Sequence, residues 1–464
     1  MTTALEALRA LLDDPRTDPN AADVRGRRPL SWVERHDPLA RALLMDVRTD
    51  LTLPAAKEGE TGIFIAARKK VWSAVQRFIA TAGLPAVEET DREGNTFLHH
   101  LTSPTAPRDL FYDKVGDVSK ASLVALNHKK ETPFHRALRA KNWPLALRLL
   151  DTGLLDLHAD NDALNWEFLI ALRLDAPHTL LMRIASALAD RLGAPDSEGW
   201  TLQHHVAAMS HGRWLDAVSK LELPDDLWMT PDPLSRRPLD VVRAGLLPKR
   251  LRSHERSAWP EPIRWDSGVT WMQAPQDQVQ KRTEASGIEG IDAGAAALEH
   301  GTLSFYPDAR ILRLSHDRAG TARRIHYWLE ADAEVTRLNG TSPPIHQFNK
   351  RHLKLSMESV RQYLHFFCFF VRGEDGPFYL LDDAPSATLS ASTTPADRAQ
   401  ISEGAMPTWI IGERKDSYRL LARCFYSTSL TTAYFIVQKT GPIQMEEDHV
   451  YLADLSGQVD MPLG

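Results

Sequence analysis

The sequence predicts an α-solenoid of short helical pairs followed by an α+β domain with a mainly antiparallel sheet. Three observations lead there: a text that recurs through the first half in steps of 33, 35, 36, 69 and 36 residues, a loss of that text after Ser253, and alternating apolar runs between turns from about residue 279. The reference copy is Glu131 to Gly153, ETPFHRALRAKNWPLALRLLDTG. Thr132 suits an N-cap, Pro133 the first helical position, and Phe134, Ala137 and Leu138 one apolar face. Asn142 and Trp143 interrupt the run and Pro144 restarts it. Leu145, Leu147, Leu149 and Leu150 then pack before Gly153 ends the second helix. Two short helices cannot bury a core alone, so the unit requires neighbours.

Those neighbours align on Arg28, Thr61, Thr96, Thr132, Thr201 and Arg237, in the texts GRRPL, GETGIFIAAR, GNTFLHHL, GWTLQHHV and SRRPLDVV around the reference copy. The 69-residue step holds two copies, the eroded one near Ala163 to Leu172. With its Gly-x-Thr starts and this period, residues 23–252 resemble an ankyrin-repeat array of about seven units. Residues 1–22 are expected to form a capping helix, with Leu5, Leu8, Leu11 and Leu12 on one face, so that the first domain spans 1–252. His99, His135 and His204 share one repeat offset. A repeated position is a structural one, and the ankyrin resemblance implies that these rings support neighbouring backbone.

Residues 253–278 carry Trp259, Trp265 and Trp271 among prolines and fit no repeat; they are expected to cap the array by docking those rings on the last repeat. Residues 279–464 form the second domain. Strands are expected at Thr302–Tyr306, Arg310–Leu314, Arg323–Glu330 and Glu334–Leu338, then a turn from Asn339 to Pro344. A helix follows from Ser356 to about Cys368, with Val360, Tyr363, Leu364 and Phe367 inward. After a strand in PFYLLDD comes a long mobile loop at 384–407, and strands at Thr408–Gly412, Tyr418–Ser427, Thr432–Gln438 and Gln444–Ala453 close the domain. The text FFCFFVRGEDGPFYLL resembles a motif of an uncharacterised bacterial domain, which implies no activity.

With 43% hydrophobic and 25% charged residues, the composition belongs to an ordinary globular protein and excludes extensive disorder. A net charge of -6 argues against nucleic acid as the main partner. The start has no positive segment leading into an apolar core, and the Phe366–Phe370 run is too short to span a bilayer, so a cytoplasmic, bacterial protein with no membrane partner is expected. Cys368 and Cys424 lie in apolar runs and are expected to be buried reduced thiols. No metal site and no bound cofactor are expected.

Tryptophan and arginine dominate protein interfaces. Arg136, Arg139, Trp143, Trp200, Arg213 and Trp214 are therefore the candidate partner-binding residues, and the ankyrin resemblance implies a concave face that grips a protein. The leading function is protein–protein recognition by the array, with the second domain binding a further component or regulating the first.

Two alternatives stand beside it. Arg372, then Ser427-Thr428-Ser429, then Gln444-Met445-Glu446 resemble in order the signature of mono-ADP-ribosyltransferases. That resemblance implies NAD as cofactor, Arg372 on its phosphates, Ser427 shaping the nicotinamide site, Gln444 orienting the nucleophile and Glu446 stabilising oxocarbenium character. The other alternative is an immunity or defence factor that neutralises a specific protein.

Overall fold

The recurring Thr-x-x-His segments start helices, and their hydrogen bonds show why. The backbone N–H of Thr96, Thr132 and Thr201 donates to Nδ1 of His99, His135 and His204 at 3.1, 3.2 and 3.1 Å, so histidine stands where a capping box usually has Glu or Gln. Helices Phe97–Leu101, Pro133–Arg139 and Leu202–Met209 follow. The far ring nitrogen reaches the next copy. Nε2 of His99 donates to the Glu131 carbonyl and Nε2 of His204 to the Arg236 carbonyl, each at 2.9 Å and 32 residues on. This is the backbone support that the shared offset predicts.

Burial holds these two rings neutral. It lowers the pKa of His99 to about 4 and that of His204 to about 4, against partial relief from the carbonyl each ring contacts. A depressed histidine pKa contributes stability that is complete above the unfolded value near 6.5 and is lost as pH falls toward 4. The unfolding free energy from urea titration should therefore drop between pH 7 and pH 5, by about 2 kcal/mol per histidine. His99→Gln and His204→Gln should each remove their share of that pH dependence; a wild-type value that is flat over the window would contradict the assignment.

A second recurrence precedes each cap. Asp23, Asp91, Asn127, Asp196 and Asp232 lie five residues before Arg28, Thr96, Thr132, Thr201 and Arg237. Each side-chain Oδ1 accepts two N–H groups of its own loop, as Asp91 does from Glu93 and Asn95 at 2.8 Å. Three residues after the Asx the chain takes positive φ, at Gly26, Gly94, Lys130, Gly199 and Ser235. Glycine is needed most at Gly199, where an added Cβ would lie 2.3 Å from Pro233 Cδ.

The computed structural model describes residues 2–56, 59–83, 89–107, 119–157, 166–188, 191–209, 215, 218, 224–242, 246, 251–318, 321–332, 334–383, 389–390 and 392–455. These fall into two units, 1–192 and 193–464. In the first unit, helix Gly62–Arg68 packs on Trp72–Ala82, Pro133–Arg139 on Trp143–Asp151, and Glu167–Arg173 on His178–Ala187. The last pair fills the place of the eroded copy without a capping Thr, for Phe168, Leu169, Ile170, Ala171 and Leu172 are all buried. Burial of that face carries the helix where cap chemistry is missing.

The second unit holds the sheets. Strands β1 (Met272–Gln273), β2 (Ala297–Leu303), β3 (Tyr306–Arg318), β4 (Thr321–Ala331) and β5 (Glu334–Leu338) make an antiparallel meander in chain order. β6 (Arg372–Gly373) and β7 (Gly376–Pro377) form a small hairpin. β10 (Ser417–Tyr426) is central to the other large sheet, with β11 (Ser429–Gln438) and β12 (Ile443–Leu452) on one side. Its opposite edge is shared by β8 (Tyr379–Leu380) and β9 (Trp409–Glu413). Helix Val360–Phe370 shares one core with both sheets. Tyr363, Leu364, Phe366 and Phe370 pack in one cluster with Ile311, Tyr327 and Leu329 of the meander and with Leu420, Phe435 and Val437 of the second sheet. Cys368 and Cys424 are buried, and burial pushes the Cys368 thiol up to about 12.

The expected fold class is corrected. In place of an ankyrin-type α-solenoid carried to residue 252 with one α+β domain behind it, the chain is a mixed helix-and-sheet protein with several antiparallel sheets. The stretches at Gly199 and Ser235 lie in the sheet-bearing unit. The cause is a set of buried polar contacts: His205 Nδ1 meets the Tyr434 hydroxyl at 2.9 Å, Arg419 pairs with Glu198 at 3.1 Å, and Arg423 donates to the Met209 carbonyl at 3.0 Å.

Three local expectations also change. Trp265 enters the core of the sheets, 5.5 Å from the Tyr327 ring and 5.0 Å from that of Phe370. The segment after Gly340 is a helix, Ser342–His352, because its two prolines occupy the first turn, where no N–H partner is lost. Residues 395–404, within the expected loop at 384–407, are helical behind the Thr394 cap.

Candidate functional site

A groove in the first unit, with a volume of about 460 Å³, gathers polar side chains from three successive copies. Arg68, the last residue of its helix, has its guanidinium within 2.7 Å of both Glu60 carboxylate oxygens and also bonds Glu34. Arg139, at the equivalent position two copies on, pairs with Glu131 at 2.9 Å, and Arg136 approaches the same carboxylate at 3.8 Å. Glu60 and Glu131 each precede the threonine at the N-cap position by one residue, and Arg68 and Arg139 each follow it by seven. The same ion pair is therefore built twice. Each of these three arginines keeps about a third of its side chain open to solvent, at 33, 34 and 37%.

The floor between the arginines is a closed network. Asp91 accepts from His100 at 2.9 Å and from Asn95 at 3.0 Å, and Asn127 donates to Asn95 at 2.9 Å. Burial works against the Asp91 charge, but the hydrogen bonds from His100, Asn95 and the loop N–H groups outweigh it and hold the carboxyl well below the usual range. The groove thus presents ordered guanidiniums over a fixed anionic floor. It suits a segment offering carboxylates and main-chain carbonyls, because a guanidinium held in place loses little freedom when it binds.

Of the sequence candidates, Arg136 and Arg139 line this groove, while Trp143 is half-buried at the head of its helix and is not among the lining residues. Trp200 is a correction. It is fully buried, its Nε1 donates to Asp232 at 2.9 Å, and it stacks on His204, so it has no surface to offer a partner. Arg213 and Trp214 lie outside the described residues. Arg68 and Asp91 were missed, although the offset that Arg68 shares with Arg139 marks it in the sequence.

The three transferase candidates do not meet in one cleft. Arg372 is exposed on β6, and its N–H donates to the Gly340 carbonyl at 3.0 Å. Ser427 is exposed in the β10–β11 turn with φ 54. Glu446 sits on β12 at a bulge opposite Tyr434 and Phe435, five to six residues along β11 from that turn, or about 18 Å at the rise of an extended strand. Its carboxylate is 3.0 Å from Nε of the fully buried Arg419, and that ion contact is a structural use for the group.

Among the described residues, no three His, Cys, Asp or Glu side chains gather as a metal site, and no helix is long and apolar enough to cross a membrane. No family model and no curated protein matches the chain. Among solved structures it is similar to a chain of the complex titled Bd0816 predatory endopeptidase from Bdellovibrio bacteriovorus with immunity protein Bd3460, at 17% identity and a TM-score of 0.32 over 39% of this chain and 89% of that one. A likeness this low carries no argument about fold or function.

Proposed function

We propose that the protein is a recognition protein whose first unit holds a segment of a partner protein in the groove between Arg68 and Arg139. One observation carries the reading: three part-exposed guanidiniums, each oriented by a carboxylate of its own chain, line a single open groove. Charged groups fixed before binding contribute more than mobile ones, and arginine is enriched among the residues that dominate interfaces. Thr61 and Thr132 head their helices at the same position, and Arg68 and Arg139 each follow seven residues on.

The test is the double substitution Arg136→Gln/Arg139→Gln, which leaves side chains able to donate to Glu131. A protein captured from the host's own extract by the wild-type chain should be lost with this variant and retained by Arg191→Ala, a change outside the groove. Its measured affinity should fall about 10- to 100-fold. Equal affinity for both chains would sink the assignment.

A further inference from the structure

The second unit contains a cavity of about 180 Å³ that the groove reading does not use. Its walls are aromatic, from Trp265, Tyr327, Phe369, Phe378 and Tyr379, and one polar ring, His365, lies among them. Helix Val360–Phe370 supplies His365 and Phe369, β4 supplies Tyr327 and β8 supplies Tyr379. Arg264 and Asp266 complete the lining on either side of Trp265. An engineered apolar cavity of roughly 150 Å³ holds benzene, so this one has room for a single six-membered ring.

His365 is 6% exposed, and its polar contacts are one-sided. Nε2 is 3.1 Å from Asp382 Oδ1 and 3.0 Å from Thr408 Oγ1. Asp382 also accepts from the Thr408 N–H at 2.9 Å, the Thr408 hydroxyl at 2.7 Å, Arg361 at 2.8 Å and the Ile263 N–H at 3.3 Å. A carboxylate surrounded by donors accepts only, so a His365 proton sits on Nε2, and in the neutral form of the ring the lone pair is on Nδ1. Among the described residues Nδ1 makes no hydrogen bond, and it is not one of the sealed buried atoms. The His365 ring is among the side chains that line the cavity.

We infer that this cavity is a binding site for a phenol, whose ring packs against Trp265, Tyr327 and Phe369 and whose hydroxyl donates to His365 Nδ1. Aromatic walls select a flat ring through edge and offset contacts, and a buried lone pair selects a ligand that brings a donor. The phenol could be a free small molecule or the tyrosyl side chain of a peptide, since both present the same ring and hydroxyl.

The test titrates the full-length protein at pH 8 with p-cresol, toluene and 4-methylanisole, followed by calorimetry and ligand-detected NMR. p-Cresol should bind at least about 10-fold more tightly than the other two, the value of one hydrogen bond. N-acetyltyrosinamide separates the sources: binding assigns the site to tyrosyl side chains, and exclusion with p-cresol bound assigns it to free phenols. His365→Phe should abolish the preference for p-cresol while leaving toluene binding in place. If that variant does not fold, the ligand series on the wild type decides. No p-cresol binding up to about 10 mM, or equal affinity for p-cresol and toluene, would overturn the assignment.

Discussion

Replacing Arg419 with alanine is expected to cost about 3–5 kcal/mol of unfolding free energy. Arg419 is fully buried on β10, its Nη1 donates to Glu198 at 3.1 Å, its Nε is 3.0 Å from the Glu446 carboxylate, and its guanidinium lies 5.3 Å from the Tyr434 ring. The Glu198 side chain is 2% exposed. Removing the cation leaves this carboxylate with Arg414 and the Ser197 hydroxyl and opens a void between β10 and the Glu198 loop. The Glu446 contact is an ion contact whose N–H is not aligned on the oxygen, so Glu446→Gln should cost less, about 1 kcal/mol. Urea unfolding followed by far-ultraviolet circular dichroism checks both. A loss below about 1 kcal/mol for Arg419→Ala would show that Glu198 is satisfied without it.

Trp265→Ala should destabilise by a similar amount, about 3–5 kcal/mol, because a buried indole is removed from a close-packed ring cluster. Trp265 is 7% exposed and touches the rings of Trp271, Tyr327, Phe366, Phe369 and Phe370. Trp271 makes a useful contrast. It is half-buried beneath the Arg313 guanidinium at 4.0 Å, and its replacement by alanine should cost about 1 kcal/mol. Equal effects of the two substitutions would mean that the segment carrying them lies on the surface of the sheets and does not enter their core.

The legible parts of the chain were those where local chemistry settles the outcome. Thr132-Pro133 begins a helix because cap and first turn are adjacent, and Glu334–Leu338 and Tyr418–Ser427 read as strands because β-rich runs lie between turns, the second observed at Ser417–Tyr426. Arg136 and Arg139 could be named as partner-binding candidates because arginine is enriched at interfaces, and both line the groove. What stayed hidden depends on distant partners. The charge of Arg419 inside the run YRLLARCFY reads as a solvated strand position until Glu198, 221 residues earlier, is seen beside it. Trp200 reads as an anchor until Asp232 is found on its indole nitrogen. His365 gives no sequence signal at all, since a lone histidine in an apolar helix has the same pattern whether it fills a core or lines a cavity. The solenoid expectation failed for the same reason: a helical period says how each pair forms, and the buried polar groups at Glu198, His205 and Met209 decide what packs on the last pairs.

The most direct measurement is the affinity of the captured partner for the wild-type chain and for Arg136→Gln/Arg139→Gln, at two salt concentrations. Recognition through ordered, part-exposed guanidiniums requires the wild-type affinity to weaken as salt rises and the double variant to bind about 10- to 100-fold less tightly, with a shallower salt dependence. A partner that binds both chains equally, with the same salt dependence, would place recognition elsewhere on the protein and contradict the account.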